Sequence, residues 1–278
     1  MSIESGIQMI NTVFVALFGL CIGSFLNVAI LRLPKEQSLW GRSRCPQCNQ
    51  MIHWYDNVPL LSYLFLRGLC RVCKRPISFR YFVVEALTGI FFVLLYLRFG
   101  WNFYWLKFSF LFSLLALTSF IDIDYHSVPS EICPLGIIAG LSFGLHEGLY
   151  RGSLPLFTFY VQGMVVGAGV VYLLKLFGDE GLAIYLKWRK LDSIEGETES
   201  LGLGDVDFMA MVGAFLGWKL TVLAFFITPF IAMLYGIIAI VFKKSHLIPY
   251  VPYLSVGVIA AFIWGDRLIG MIMKGFYL

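Results

Sequence analysis

The sequence predicts an all-α polytopic membrane protein of about eight transmembrane helices, with a small extramembrane domain between the first two. Three observations predict it. Of 278 residues, 59% are hydrophobic and only 14% are charged, where a soluble domain carries about 25% charged residues. Apolar runs long enough for a membrane helix, which needs about 20 such residues, recur along the chain. Basic residues gather in alternate connections between those runs, as the positive-inside bias requires. The formal charge of +4 is modest, and no nucleic-acid partner is expected.

The eight spans are read at approximately Met9–Leu31, Tyr81–Leu97, Phe103–Ile121, Ile132–Leu149, Leu156–Phe177, Val206–Gly217, Leu220–Phe242 and Pro252–Met273. The sixth is short and follows a glycine-rich turn, so it is either a half-span or a span buried among other helices. The N-terminus begins MSIES, lacks a basic n-region and runs straight into the first span; no cleavable signal peptide is expected. Residues 32–80 hold Arg32, Lys35, Arg42, Arg44, Arg67, Arg71, Lys74, Arg75 and Arg80. Lys187, Arg189 and Lys190 follow the fifth span, with Lys175 near the start of that loop, and Lys243 and Lys244 follow the seventh. With eight spans all of these fall on one side, the cytoplasmic one, and both termini face outside. Trp101, Trp105 and Trp218 read as interfacial anchors. The expected organisation is a first transmembrane helix over 1–31, a cytoplasmic domain over 32–80, and a seven-helix membrane domain over 81–278 that carries a second cytoplasmic loop, 178–204. Within that loop Ser193–Ser200 is polar and expected to be mobile.

The domain at 32–80 contains Cys45-Pro-Gln-Cys48 and Cys70-Arg-Val-Cys73, two CxxC pairs 21 residues apart. That spacing suits a tetrahedral zinc ion held by four thiolates. Such a site has no open coordination position and is structural. Two disulfides or four free thiols are the alternatives; a cytoplasmic location disfavours the disulfides. Cys21 and Cys133 read as packing residues. His53, His126, His146 and His246 form no ligand pattern, and the chain has no HExxH, GxSxG or P-loop motif.

Two acids stand out because charge near a membrane interior is costly and usually functional. Asp122 follows the third span in Ser119-Phe120-Ile121-Asp122, and Asp205 closes Gly202-Leu203-Gly204-Asp205 at the head of the sixth. The topology puts both at cytoplasmic helix ends, where they could converge in one cavity. Paired carboxylates divide acid and base roles. Gly202 and Gly204, lacking Cβ atoms, let a substrate backbone come close. Helix capping is the competing explanation, for Asp205 above all. Asp124 and Asp207, each two residues further on, point elsewhere on their helices. Transport through the acids, or a membrane anchor presenting a zinc module, would be other uses of such a chain; transport sites tend to lie nearer the bilayer midplane.

Several motifs together resemble the type IV prepilin peptidases, which belong to the GxGD membrane aspartic proteases. They are Gly23-Ser24-Phe25-Leu26-Asn27 with Arg32-Leu33-Pro34, the two cysteine pairs, Trp54 through Tyr63, Arg67-Gly68, Arg75-Pro76-Ile77-Ser78, Glu85-Ala86-Leu87-Thr88-Gly89, Asp122 seven residues before Pro129, and Gly202-Leu203-Gly204-Asp205. The resemblance covers nearly the whole chain. It implies a multi-pass protein of the bacterial inner membrane whose Asp122 and Asp205 cut the short basic leader from prepilins and pseudopilins after a glycine. It also implies N-methylation of the new N-terminal residue by S-adenosylmethionine, with Gly68 at a position linked to that activity. Leu69 and Asp207 stand where the family often has a basic residue.

Overall fold

The structure is a computed structural model that describes residues 3–189, 201–241 and 249–275. It divides into two compact units, Met1–Ile121 and Asp122–Leu278. Ser193–Ser200, Lys190, Lys243, Lys244 and His246 lie outside the described residues.

The first unit is built on α1 (Ile3–Arg32), α3 (Arg80–Phe99) and the larger part of α4 (Phe103–Tyr125), with a five-residue helix α2 (Leu61–Phe65) in the connection between α1 and α3. Helices α1 and α3 pack along their length, because the small residues Gly19, Gly23 and Gly89 face each other's helix closely: a Cβ on Gly23 would lie 2.7 Å from the Glu85 backbone. Trp105 of α4 donates its indole N–H to the Phe92 carbonyl at 3.3 Å. The outer face of α1 is apolar and bare, with Ile10 66% and Phe14 58% exposed. A face of this kind is stable against acyl chains and costly in water.

The second unit contains α5 (Ile132–Tyr150), α6 (Leu154–Arg189), α7 (Leu203–Leu216), α8 (Trp218–Val241) and α9 (Val251–Gly275). Helix α7 is its centre. Every residue from Phe208 to Leu216 is buried, and α5, α6, α8 and α9 all pack on it. Its 14 residues rise about 21 Å, less than the roughly 30 Å of a hydrocarbon core. Among the described residues, seven helices are long and apolar enough to cross a membrane, and α7 is not one of them. Protein surrounds it instead, so the sixth apolar segment is shorter than a full span and also buried among the other helices.

Glycine sets how closely α7 is held. Gly163 and Gly167 form a small-xxx-small pair on α6, the pattern that lets membrane helices touch backbone to backbone. A Cβ on Gly163 would collide with the Gly213 carbonyl oxygen, one on Gly167 with the Met209 carbonyl oxygen, and one on Gly213 with the Gly163 carbonyl oxygen. No side chain can rotate away from a backbone clash. Gly213→Ala should therefore destabilise the second unit by about 3 kcal/mol, the upper end for overpacking. Thermal melting in detergent checks this against Gly169→Ala, where a Cβ meets open space.

Two boundaries differ from the sequence reading. The loop expected over 178–204 is helical up to Arg189, because α6 continues through Gly178–Arg189. Hydropathy marks where the lipid ends, and the helix does not end there. Residues such as Leu182, Ala183, Leu186 and Lys187 are good helix formers, and Lys175 pairs with Asp179 at 3.1 Å one turn on. Helix α1 likewise begins at Ile3 rather than Met9.

Candidate active site

Asp122 does not follow its helix; it sits inside the last turn of α4, and its carbonyl accepts the His126 N–H at 2.9 Å. A capping explanation fails for it. The C-terminal end of a helix carries the negative pole of the dipole and disfavours an acid. What orients Asp122 is another helix: the N–H of Val251, in the first turn of α9, donates to its Oδ2 at 3.0 Å. That N–H is one of the donors a helix N-terminus leaves without an internal partner.

Asp205 is not a cap either. Gly202 occupies the N-cap position of α7, extended at φ −75° and ψ 149°, and Asp205 is the third helical residue. Its N–H donates to the Gly202 carbonyl at 3.2 Å. The two glycines of this turn sit in different surroundings. Gly204 faces Val128, which a Cβ would approach to 3.1 Å, so it lets the head of α7 dock on the segment after α4. Gly202 is exposed and its nearest side-chain neighbour is the Asp205 carboxylate, at 3.8 Å from a Cβ built there.

Both carboxylates are buried, Asp122 7% and Asp205 9% exposed, and each lies within electrostatic reach of the other. Asp124 and Asp207 are exposed. The separation follows from helix geometry, since two residues along a helix is about 200° of rotation. The structure thus brings together one acid from the end of α4 and one from the start of α7, and leaves their neighbours outside.

Lys175 was legible in the sequence only as a basic residue near a loop. It is 7% exposed, donates to the Leu201 carbonyl at 2.8 Å, and lies within electrostatic reach of Asp205. The lysine thereby ties α6 to the turn that presents Asp205. Its spacing of four from Asp179 was the available signal, because oppositely charged residues four apart mark a continuing helix.

In the first unit the four predicted ligands converge. The Sγ atoms of Cys45, Cys48, Cys70 and Cys73 all lie within 4.8 Å of one another. Cys45 Sγ and Cys73 Sγ are 3.9 Å apart, near the edge of about 3.8 Å that four 2.3 Å zinc–sulfur bonds give a tetrahedron and far beyond a 2.05 Å disulfide bond. The two pairs fold alike. Cys45 N donates to Gln50 O and Asn49 N to Cys45 O; Cys70 N donates to Arg75 O and Lys74 N to Cys70 O. Asn49 and Lys74, each following the second cysteine of its pair, take φ of 57° and 56°. Backbone N–H groups of Cys73 and then Val72 hold the Cys70 thiol down at about 7, whereas Cys48 is pushed up to about 11, its Gln50 backbone bond outweighed by desolvation and the neighbouring thiols. The donor set and its spacing fit a four-thiolate ion. Arg71 braces the second turn through a two-pronged bond to Asp56, at 2.6 and 2.8 Å, and the same guanidinium keeps the Asp56 carboxyl below its usual range.

Gly68 lies just before the second cysteine pair with φ +69°. A Cβ there would lie 2.9 Å from the Tyr63 hydroxyl. Tyr63 lines a cavity of about 490 Å³ in this unit, and Gly68 does not.

Residues 17–99 match the bacterial peptidase A24 N-terminal domain, and residues 109–237 match the type IV leader peptidase family. The chain is 40% identical over 210 residues to a prepilin leader peptidase/N-methyltransferase of Myxococcus xanthus, a stretch covering 74% of this chain and 56% of that relative. It is 30% identical over 299 residues to the protein of that name from Aeromonas salmonicida, covering 96% of each. The Bacillus subtilis protein of the same name is 30% identical over 270 residues, covering 96% of this chain and 98% of the relative. No solved structure matches.

Proposed function

Because the chain belongs to the type IV leader peptidase family, we propose that it is a multi-pass inner-membrane peptidase that removes the basic leader of prepilins and pseudopilins, with Asp122 and Asp205 as its two catalytic acids, and that it then N-methylates the new N-terminus. The observation that carries the peptidase half is the convergence of two buried carboxylates from separate helix ends. Like charges in one site titrate as a pair. Between its two ionisations the pair holds one proton. The ionised acid takes a proton from the attacking water while the protonated one donates to the scissile carbonyl oxygen. The Val251 N–H fixes the orientation of Asp122, and the Lys175 bond to Leu201 fixes the turn before Asp205. The exposed Gly202 leaves room beside Asp205 for an extended peptide backbone.

The basic residues around the cysteine domain support a cytoplasmic side for it. Cys45, Cys48, Cys70 and Cys73 would hold a structural zinc ion, which folds the domain and takes no part in chemistry. S-adenosylmethionine, when bound, would supply the methyl group.

Mass spectrometry of a prepilin coexpressed with the chain tests both halves. Loss of the leader mass together with a gain of one methyl group is expected. Leader loss without the methyl gain removes the transferase half, and an intact leader overturns the proposal.

A further inference from the structure

Two of the motifs noted in the sequence, around Asn27 and Glu85, are not used by the peptidase. Both residues line the cavity of about 490 Å³ in the first unit, a volume typical of small-ligand sites. Glu85 projects from α3, is 8% exposed, accepts the Leu60 N–H on Oε2 at 2.8 Å, and has the side chains of Ser24 and Asn27 as further hydrogen-bonding neighbours. Leu60 is held at φ 58° and ψ −49°, an unfavourable conformation for a side-chain-bearing residue, and such strain clusters at functional sites. Asn27 projects from α1, is 2% exposed, and gives its Nδ2 to the Tyr81 carbonyl at 3.0 Å. Its Oδ1 is buried with no hydrogen-bond partner. An orphaned acceptor of this kind costs about 1–3 kcal/mol unless a ligand fills it.

Of the cations lining the cavity, Arg32, Lys35, Arg44 and Arg71, the three arginines are engaged elsewhere. Arg71 is paired with Asp56, Arg32 donates to the carbonyls of Ser38, Trp40 and Arg42, and Arg44 reaches the Asn49 carbonyl. Glu85 makes no ion pair among the described residues. A buried carboxylate without a cation, beside an amide oxygen without a donor, is complementary to a group that brings both. A primary ammonium carries one positive charge and three N–H donors.

We propose that Glu85 and Asn27 form a receptor for a primary ammonium, the free α-amino group of the mature pilin, which holds the methyl acceptor in this cavity. The proposal rests on the N-methyltransferase reading. Glu85 supplies the opposite charge and Asn27 Oδ1 an acceptor that an acylated nitrogen could not satisfy as well. Binding should therefore discriminate sharply between a free and a blocked N-terminus.

The test uses the full chain in detergent micelles and a synthetic pilin peptide beginning at the mature phenylalanine, with its amine free or acetylated. Calorimetry should show the wild type binding the free amine at least tenfold more tightly. Glu85→Gln should abolish that preference and Glu85→Asp should keep it. Equal wild-type affinity for the two peptides overturns the proposal, with no variant needed. So does a preference that survives in Glu85→Gln, or one lost equally in Glu85→Asp, which would make Glu85 a brace for Leu60 only. Glu85→Gln weakening S-adenosylmethionine binding but not peptide binding assigns the receptor to the donor's own amino group and also overturns it. Methylation of the same peptide by the wild type is read in parallel. Its absence sinks the transferase reading, whereas methylation without amine preference sinks the receptor alone.

Discussion

Asp122→Asn and Asp205→Asn should each leave the protein inserted in the membrane and lower leader cleavage by about 10⁴-fold, the upper end for loss of a positioned acid or base. The amide has the shape of the acid but cannot pass a proton. Its oxygen can still accept the Val251 N–H that orients position 122, and helix α7 begins from Gly202 whatever side chain follows at 205. The fold is therefore preserved while the chemistry is lost. Asp124→Asn and Asp207→Asn are the matched comparison, since both acids are exposed; each should retain cleavage within about threefold, as surface substitutions away from a site usually do. Purified variants reconstituted with a synthetic prepilin, followed by mass spectrometry, read all four.

Cys45→Ser or Cys70→Ser should abolish metal binding and unfold the segment between α1 and α3. From residue 33 to 79 the only buried residues are Cys45, Gly68 and Cys70. Large apolar side chains there are bare: Trp40 is 91% exposed, Trp54 79% and Phe65 84%. A segment with so little apolar burial cannot offset its conformational entropy unaided. Structural zinc in small domains contributes about 10–16 kcal/mol, enough to make folding depend on the ion. Elemental analysis should find one zinc per wild-type chain and almost none in either variant. Limited proteolysis should then cut between α1 and α3 in the variants, and the methyl gain on the pilin should disappear. A wild type purified free of metal with that segment protease-resistant would count against the zinc reading.

Much of this is legible in the sequence because it is written locally. Apolar runs announce the long helices, CxxC spacing announces the metal ligands, and an acid beside an apolar run is conspicuous. What the sequence hid is tertiary. The Val251 N–H reaches Asp122 across 129 residues, and no local pattern encodes a backbone donor. Lys175 reads in the sequence only as a basic residue near the start of a loop, because hydropathy ends near it, though α6 runs on to Arg189. The close approach of α6 and α7 depends on Gly163 and Gly213 facing each other, and two glycines fifty residues apart do not declare that they touch. The sequence also left Asp205 open to a capping explanation, which its place as the third residue of α7 removes.

The central claim is that Asp122 and Asp205 act as one unit on one peptide bond. Residues that act as a unit are non-additive, so removing one costs about as much as removing both. The most direct measurement compares cleavage rates of Asp122→Asn, Asp205→Asn and the double variant on the same purified prepilin. We predict that all three fall to the same floor. Either single variant cleaving at a rate near wild type, or a double variant whose loss is the product of two partial losses, would contradict it.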